Sequence, residues 1–213
     1  MYIREIDGKQ LTFAVSPLLY NESLVMVDSE THTFWSHLLG KAMRGPLEGQ
    51  ELKMINSVVC DWKSWKADHP DTTVLDMVPT IASLKDDYYA DASKYIIGMT
   101  AKGQSRAWQL DHLKKSTIIN DEFNGSVVIV HDQNGLGTQV FSSMIDSKSL
   151  TFVIKKDQMR DLETDSTWNM RTGKAIDGAL TGRLLKPRDS KISLKKAWDV
   201  FYPESSYWFP VEN

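Results

Sequence analysis

The sequence predicts a mainly β protein with short helices, a β-rich α+β fold in which one hairpin-rich unit occurs twice. The first observation behind this is an internal repeat. Residues Met26–Lys53 return as Met159–Lys186 at a constant offset of 133 (161 − 28), and 11 of the 25 positions from Asp28 to Leu52 are identical to those from Asp161 to Leu185. Unrelated stretches of average composition would share roughly one or two. The second is a set of short extended runs separated by turn residues, beginning with Tyr2–Ile6 and Leu11–Val15 on either side of Asp7-Gly8-Lys9. Asp-Gly supplies the positive backbone torsions of a tight hairpin turn. The third is the return of Leu11-Thr12-Phe13 as Leu150-Thr151-Phe152, at an offset of 139.

The two offsets differ by six residues, so the first copy carries six residues between Ser16 and Val25 that the second lacks. Pro17 cannot donate to a strand ladder, and the segment is expected to leave the sheet as a bulge or loop. Two readings stand side by side: a ligand loop presenting Tyr20 and Asn21, or a packed connection with Leu18 and Leu19 turned to the core. Beyond it, Leu24–Val27 and Thr33–Ser36 read as strands around an Asp28–His32 turn. Asp28 can accept from the N–H groups ahead of it, and His32, like Asp165 in the second copy, tolerates a left-handed backbone. A metal on Asp28 and Glu30 is the sharper reading, but a turn accounts for both residues.

Trp35 and Trp168 are expected to fill equivalent core positions. Residues 40–49 and 173–182 read as a further strand and turn. Gly40-Lys41 is no phosphate loop, because Ala42 replaces the metal-binding hydroxyl of that motif. A short helix follows in each copy: Trp62 and Trp65 share one face before Pro70, while Leu194, Trp198 and Phe201 form a stripe with Ser193 as N-cap and Pro203 as stop. Both stripes are expected to be core. Residues 72–95 read as a connector, with further strands at Tyr95–Met99, Arg106–Leu110 and Ser126–His131 and a turn at Gly135–Gly137. The predicted division is a first repeat over 1–75, a connector over 76–94 and a second repeat over 95–213.

The chain has 213 residues, is 41% hydrophobic and 25% charged, and has a formal charge of −3. That is enough to bury a core and leaves no basic field for nucleic acid. Cys60 is the sole cysteine, which excludes an internal disulfide and any multi-thiolate metal site built from this chain alone, and beside Val58 and Val59 it is expected to pack. No apolar run is long enough to span a bilayer and no signal peptide is visible, which would place a complete chain in the cytoplasm. The five histidines are dispersed, with surface or helix-end places expected for most.

The run Leu11-Thr12-Phe13, Leu19-Tyr20-Asn21, Leu24, Met26, Asp28, Glu30-Thr31, Trp35-Ser36, Gly45-Pro46-Leu47, Gly49, Trp62, Trp65 and His69-Pro70-Asp71-Thr72 resembles the prokaryotic domain-of-unknown-function 3179 family over nearly the whole chain. The resemblance implies no established activity. It implies an N-terminal block in full-length members, ending in a Cys-Pro-x-Cys-Gly segment, and relatives that look exported or lipid-anchored. This sequence lacks that segment, and the expectation is that the reading frame continues upstream of Met1 into strands matching Tyr95–His131.

Three functions are weighed. The first is a binding or accessory protein for a small molecule or protein partner, with Tyr20, Asn21, Trp35, Ser36 and His37 as the candidate ligand site. The second is a metal-linked or thiol-redox protein built on the cysteine pair of full-length relatives. A hydrolase ranks last, since no nucleophile elbow or His-Glu-x-x-His is present. No cofactor, catalytic residue or metal ligand is assigned.

Overall fold

A computed structural model describes residues 1–57, 62–74, 91–131 and 137–210. The first copy opens on the Asp-Gly hairpin, β1 (Glu5–Ile6) and β2 (Lys9–Gln10), with Asp7 and Gly8 at φ 49° and 75°. A four-stranded antiparallel sheet follows in chain order: β3 (Phe13–Tyr20), β4 (Ser23–Asp28), β5 (Phe34–Ser36) and β6 (Lys41–Arg44). Helix α1 spans Trp62–Asp68.

The second half begins after a 3-10 turn at Ala92–Lys94 with β7 (Tyr95–Ala101) and β8 (Gln104–Gln109), then α2 (Leu110–Lys115). A three-stranded antiparallel sheet comes next, β9 (Ile118–Glu122), β10 (Ser126–His131) and β11 (Thr138–Ser142), in the order β11-β10-β9. The repeated unit then reappears. The hairpin β12 (Met144–Ile145) and β13 (Lys148–Ser149) precedes a second four-stranded sheet, β14 (Phe152–Lys155), β15 (Gln158–Asp161), β16 (Thr167–Trp168) and β17 (Ala175–Asp177). The chain closes with β18 (Lys191–Leu194), α3 (Lys195–Phe201) and β19 (Ser206–Trp208). Here β18 adds antiparallel to β7 and β19 parallel to β8, giving the order β18-β7-β8-β19.

The duplication extends to individual hydrogen bonds. Asp28 and Asp161 are fully buried, and each accepts from the indole N–H seven residues on, Trp35 at 2.8 Å and Trp168 at 2.9 Å. The N–H of Thr31 reaches Asp28 at 2.6 Å and that of Thr164 reaches Asp161 at 2.6 Å. Glu30 accepts from the N–H of Thr12 and Glu163 from that of Thr151, at 2.8 and 2.9 Å. Phe13 meets Trp35 edge-on, as Phe152 meets Trp168, both at 5.6 Å between ring centroids. Each copy also slips register between the residue before the tryptophan and the tryptophan itself. His32 and Asp165 have φ of 57° and 52°, the left-handed backbone the turn demands. The turn therefore accounts for the repeated acidic residues.

Several local expectations change. The six extra residues lengthen the β3–β4 hairpin: of the expected bulge or loop the bulge is what forms, as a register slip between Val15 and Leu19 around Pro17, and Tyr20 pairs with Ser23 across an Asn21–Glu22 turn. Leu19 is 70% exposed and does not face the core. Ser193 does not cap α3. It lies in β18 and donates to the carbonyl of Leu194, and Leu194 holds the cap position without a side-chain bond. The helix α2 and strand β9 were not expected; of the five histidines His131 alone is buried, and the other four are exposed or at a helix end, as expected for most.

Of the two tryptophan stripes, Trp198 is core and Trp62 is 50% exposed. Locally the two helices agree. Trp65 donates to Thr72 and Trp198 to Ser205 seven residues on, at 3.1 and 2.8 Å, and each indole stacks on the ring four residues on, His69 at 4.0 Å and Tyr202 at 4.2 Å. What differs is the support: Trp198 lies against β7 so closely that a Cβ on Gly98 would stand 2.3 Å from its ring. Cys60, Asp61, most of the connector and Gly135–Leu136 lie outside the described residues. Among the described residues no helix is long and apolar enough to cross a membrane.

Candidate functional site

The segment before β1 pairs with the end of the first copy: Tyr2 bridges Met54, the N–H of Ile3 donates to Lys53, and the N–H of Ile55 donates to Met1. The second copy has the same bridge between Phe141 and Pro187. Tyr2 therefore occupies the place of the core residue Phe141 (141 − 2 = 139), and the same glycine faces both rings. A Cβ on Gly40, at φ 69°, would stand 2.4 Å from the Tyr2 ring, and one on Gly173 2.8 Å from Phe141. The Tyr2 hydroxyl, which Phe141 lacks, donates to the carbonyl of Leu38 at 3.1 Å.

His37 follows β5, its N–H held by the carbonyl of Leu24 at 3.0 Å, and its ring meets Tyr2 edge-on at 6.4 Å. Its counterpart at the offset of 133 is Met170, which packs against the second core. From the other half, Lys191 at the start of β18 sends its ammonium to the same Leu38 carbonyl at 2.6 Å, 5.7 Å from the centroid of the Tyr2 ring. Thr138 of β11 lies 2.8 Å from Nδ1 of the buried His131. Tyr2, His37, Leu38, Thr138 and Lys191 thus line a cavity of about 250 Å³ at the seam between the two halves, closed by Met1, Met54, Ser57, Ile97, Ser190 and Ile192.

Burial sets the protonation of this cavity. It draws the Lys191 ammonium down to about 8, against the opposing pull of Glu51 and Asp189. The same desolvation, with the positive charges of the Met1 amino group and Lys191, holds His37 below the usual histidine value, and burial raises the Tyr2 phenol. At neutral pH the cavity presents the Lys191 ammonium, the neutral His37 imidazole and the hydroxyls of Tyr2, Ser57, Thr138 and Ser190: convergent hydrogen-bonding groups among apolar side chains.

The sequence-predicted site residues are not brought together. Trp35 is buried on Asp28, and Ser36 is buried with its hydroxyl accepting from the N–H of Leu39 at 3.2 Å. Tyr20 and Asn21 lie at the tip of the long hairpin, where Tyr20 meets Phe201 of α3 edge-on at 5.3 Å and the neighbouring Glu22 pairs with Lys196. Only His37 reaches the cavity. Tyr2, Thr138 and Lys191 were missed, although comparing the copies at Tyr2/Phe141 and His37/Met170 carries the signal. A second hollow of about 370 Å³, at the end of α1, is lined by Trp65, Asp68, His69, Pro70, Asp71 and Thr72 from the first half alone. Its Asp68 is taken by Arg171 at 2.7 Å.

Fold and repeat define the class, an internally duplicated, strand-rich protein with short helices. The chain belongs to the family described as protein of unknown function (DUF3179), whose profile matches residues 1–91 and 76–205. No curated protein and no solved structure matches it.

Proposed function

We propose that this chain is a binding or accessory protein that holds a small molecule in the cavity between its halves. The observation that carries the reading is where the copies diverge. Two positions that are apolar in the second copy, the core Phe141 and the part-buried Met170, are Tyr2 and His37 in the first, and both line the cavity. The Tyr2 hydroxyl is bonded to the Leu38 carbonyl and His37 is exposed, so the support for a ligand is the convergence of these polar groups on one hollow. At about 250 Å³ the cavity falls below the ~300–1,000 Å³ of drug-sized sites, which suits a small metabolite.

In this reading Trp35 and Ser36 fix the strand end that carries His37. Tyr20 and Asn21 belong to a hairpin that braces the C-terminal helix or meets a partner. We assign residues 1–75 to the first repeat, 76–94 to the connector and 95–213 to the second repeat, a division supported by the two family matches. The alternative of metal-linked or thiol-redox chemistry rests on a cysteine pair, and this sequence has one cysteine.

The test is native mass spectrometry and thermal melting with pooled polar metabolites, on the wild type and on His37→Leu and Thr138→Val. The expected result is a retained small molecule that raises Tm in the wild type, with weaker retention in both variants at unchanged circular dichroism. Retention by none of the proteins, or equal retention by all three, overturns the reading.

A further inference from the structure

We propose that the occupant of the seam cavity is a small anion, a carboxylate or phosphate group whose oxygens pair with the Lys191 ammonium. The inference rests on the small-ligand reading above and names the ligand's chemistry.

An ammonium has three N–H donors. One is spent on the Leu38 carbonyl, an uncharged acceptor already shared with the Tyr2 hydroxyl. The Tyr2 ring below contributes a cation–π contact but no counter-charge. Among the described residues no carboxylate lies within ion-pairing distance of Lys191. Glu51 is committed to Lys41 at 3.2 Å, and Asp189 acts only from further off. A cation withdrawn from water without a partner is costly, and the usual resolutions are a counter-ion or loss of the proton. The cavity beside it has room for the counter-ion.

The other walls suit the same occupant. The His37 ring and the Thr138 hydroxyl offer hydrogen bonds, and a neutral imidazole adds a donor without a second charge to desolvate. An uncharged ligand would leave the ammonium unmatched, and a cationic one would be repelled. The volume admits a small mono- or dicarboxylate or a phosphate, and excludes a nucleotide.

The experiment is trace acetylation of all lysines in the folded full chain, read peptide by peptide from pH 6 to 10, alone and with saturating inorganic phosphate or, separately, succinate. The charged groups acting on Lys191 are Glu51 and Asp189, while the neutral His37 ring, the Tyr2 phenol and Met1 line the same hollow. Bound anion stabilises the ammonium, and a rise of one unit in its pKa lowers Lys191 labelling at pH 7 about tenfold. Labelling of Lys41, exposed in its pair with Glu51, stays unchanged.

Lys191→Arg keeps the charge and retains anion-induced thermal stabilisation; Lys191→Met, checked for fold by circular dichroism, loses it. Protection by one anion and not the other identifies the group. If neither anion protects Lys191, or all lysines are protected alike, the anion assignment fails. Should uncharged metabolites still bind in the screen, the small-ligand reading survives that failure.

Discussion

Among the described residues of the first copy, no side chain accepts more hydrogen bonds than Asp28. Its carboxylate takes the Trp35 indole, the N–H and hydroxyl of Thr31 and the N–H of Thr33, all within 3.2 Å. Burial pushes its pKa up, but the bonds from Trp35, Thr31 and Thr33 outweigh that and hold it below the usual aspartate value. The stability it contributes is therefore complete above the unfolded pKa, near 3.8, and is lost as pH falls through the lower folded value. Asp28→Asn keeps the shape but halves the acceptors and removes the charge. We expect it to cost about 2–4 kcal/mol in urea unfolding at pH 7, with less loss of stability on acidification to pH 2.5 than the wild type shows; an unchanged midpoint at pH 7 would remove Asp28 from this role. The repeat made Asp28, Thr31 and Trp35 legible as a unit, and the turn chemistry made Asp28 legible as an acceptor. The indole bond was not legible, because it depends on β4 and β5 pairing so that Met26 faces Trp35.

At the scale of elements, α1 and α3 show how far a sequence stripe reaches. Both helices were legible, as were the prolines that stop them and the tryptophan they share. Burial was not, since it is decided by the strand standing opposite. Trp198 is fully buried over Gly98, which β18 holds in register with Lys191, whereas α1 buries no residue. Trp198→Ala is accordingly expected to cost about 3–5 kcal/mol and Trp65→Ala less than half as much, measured by urea unfolding. Gly98→Ala is expected to cost about 1–3 kcal/mol through overpacking against the Trp198 ring. Equal losses at the two tryptophans would mean that α1 has support the described residues do not reveal. The long hairpin teaches a similar lesson. The change of offset located the six extra residues, but the Asn21–Glu22 turn that keeps them in strand pairing, at φ 49° and 63°, carries neither of the usual Asn-Gly or Gly-first signatures.

Across the whole molecule the two copies have matching hydrogen bonds but unequal cores. Among the described residues, the cluster around Trp35 draws on Ile6, Leu11, Ala42 and Leu52. That around Trp168 includes the corresponding positions Ile145, Leu150, Ala175 and Leu185 and adds Val128 and Val130 from the sheet laid against it. The Asn120 side chain of β9 also bonds both the N–H and the carbonyl of Phe152 at 2.8 Å, pinning β14 to that sheet. Local opening is governed by the apolar contacts that must be broken, not only by the bonds that exchange reports. The first copy should therefore open more readily although its local bonding is the same. Native-state hydrogen exchange provides a direct comparison, because the Trp35 and Trp168 indole N–H groups sit on equivalent carboxylates at 2.8 and 2.9 Å. Trp35 is expected to exchange at least about tenfold faster, equivalent to about 1.4 kcal/mol of opening free energy. A ligand in the seam cavity, which ties Tyr2 and His37 to Lys191, should narrow that gap by slowing Trp35 and leaving Trp168 unchanged. Equal rates without ligand would show that the two copies open as one unit, and the seam would then be a rigid joint rather than the place where binding adds order.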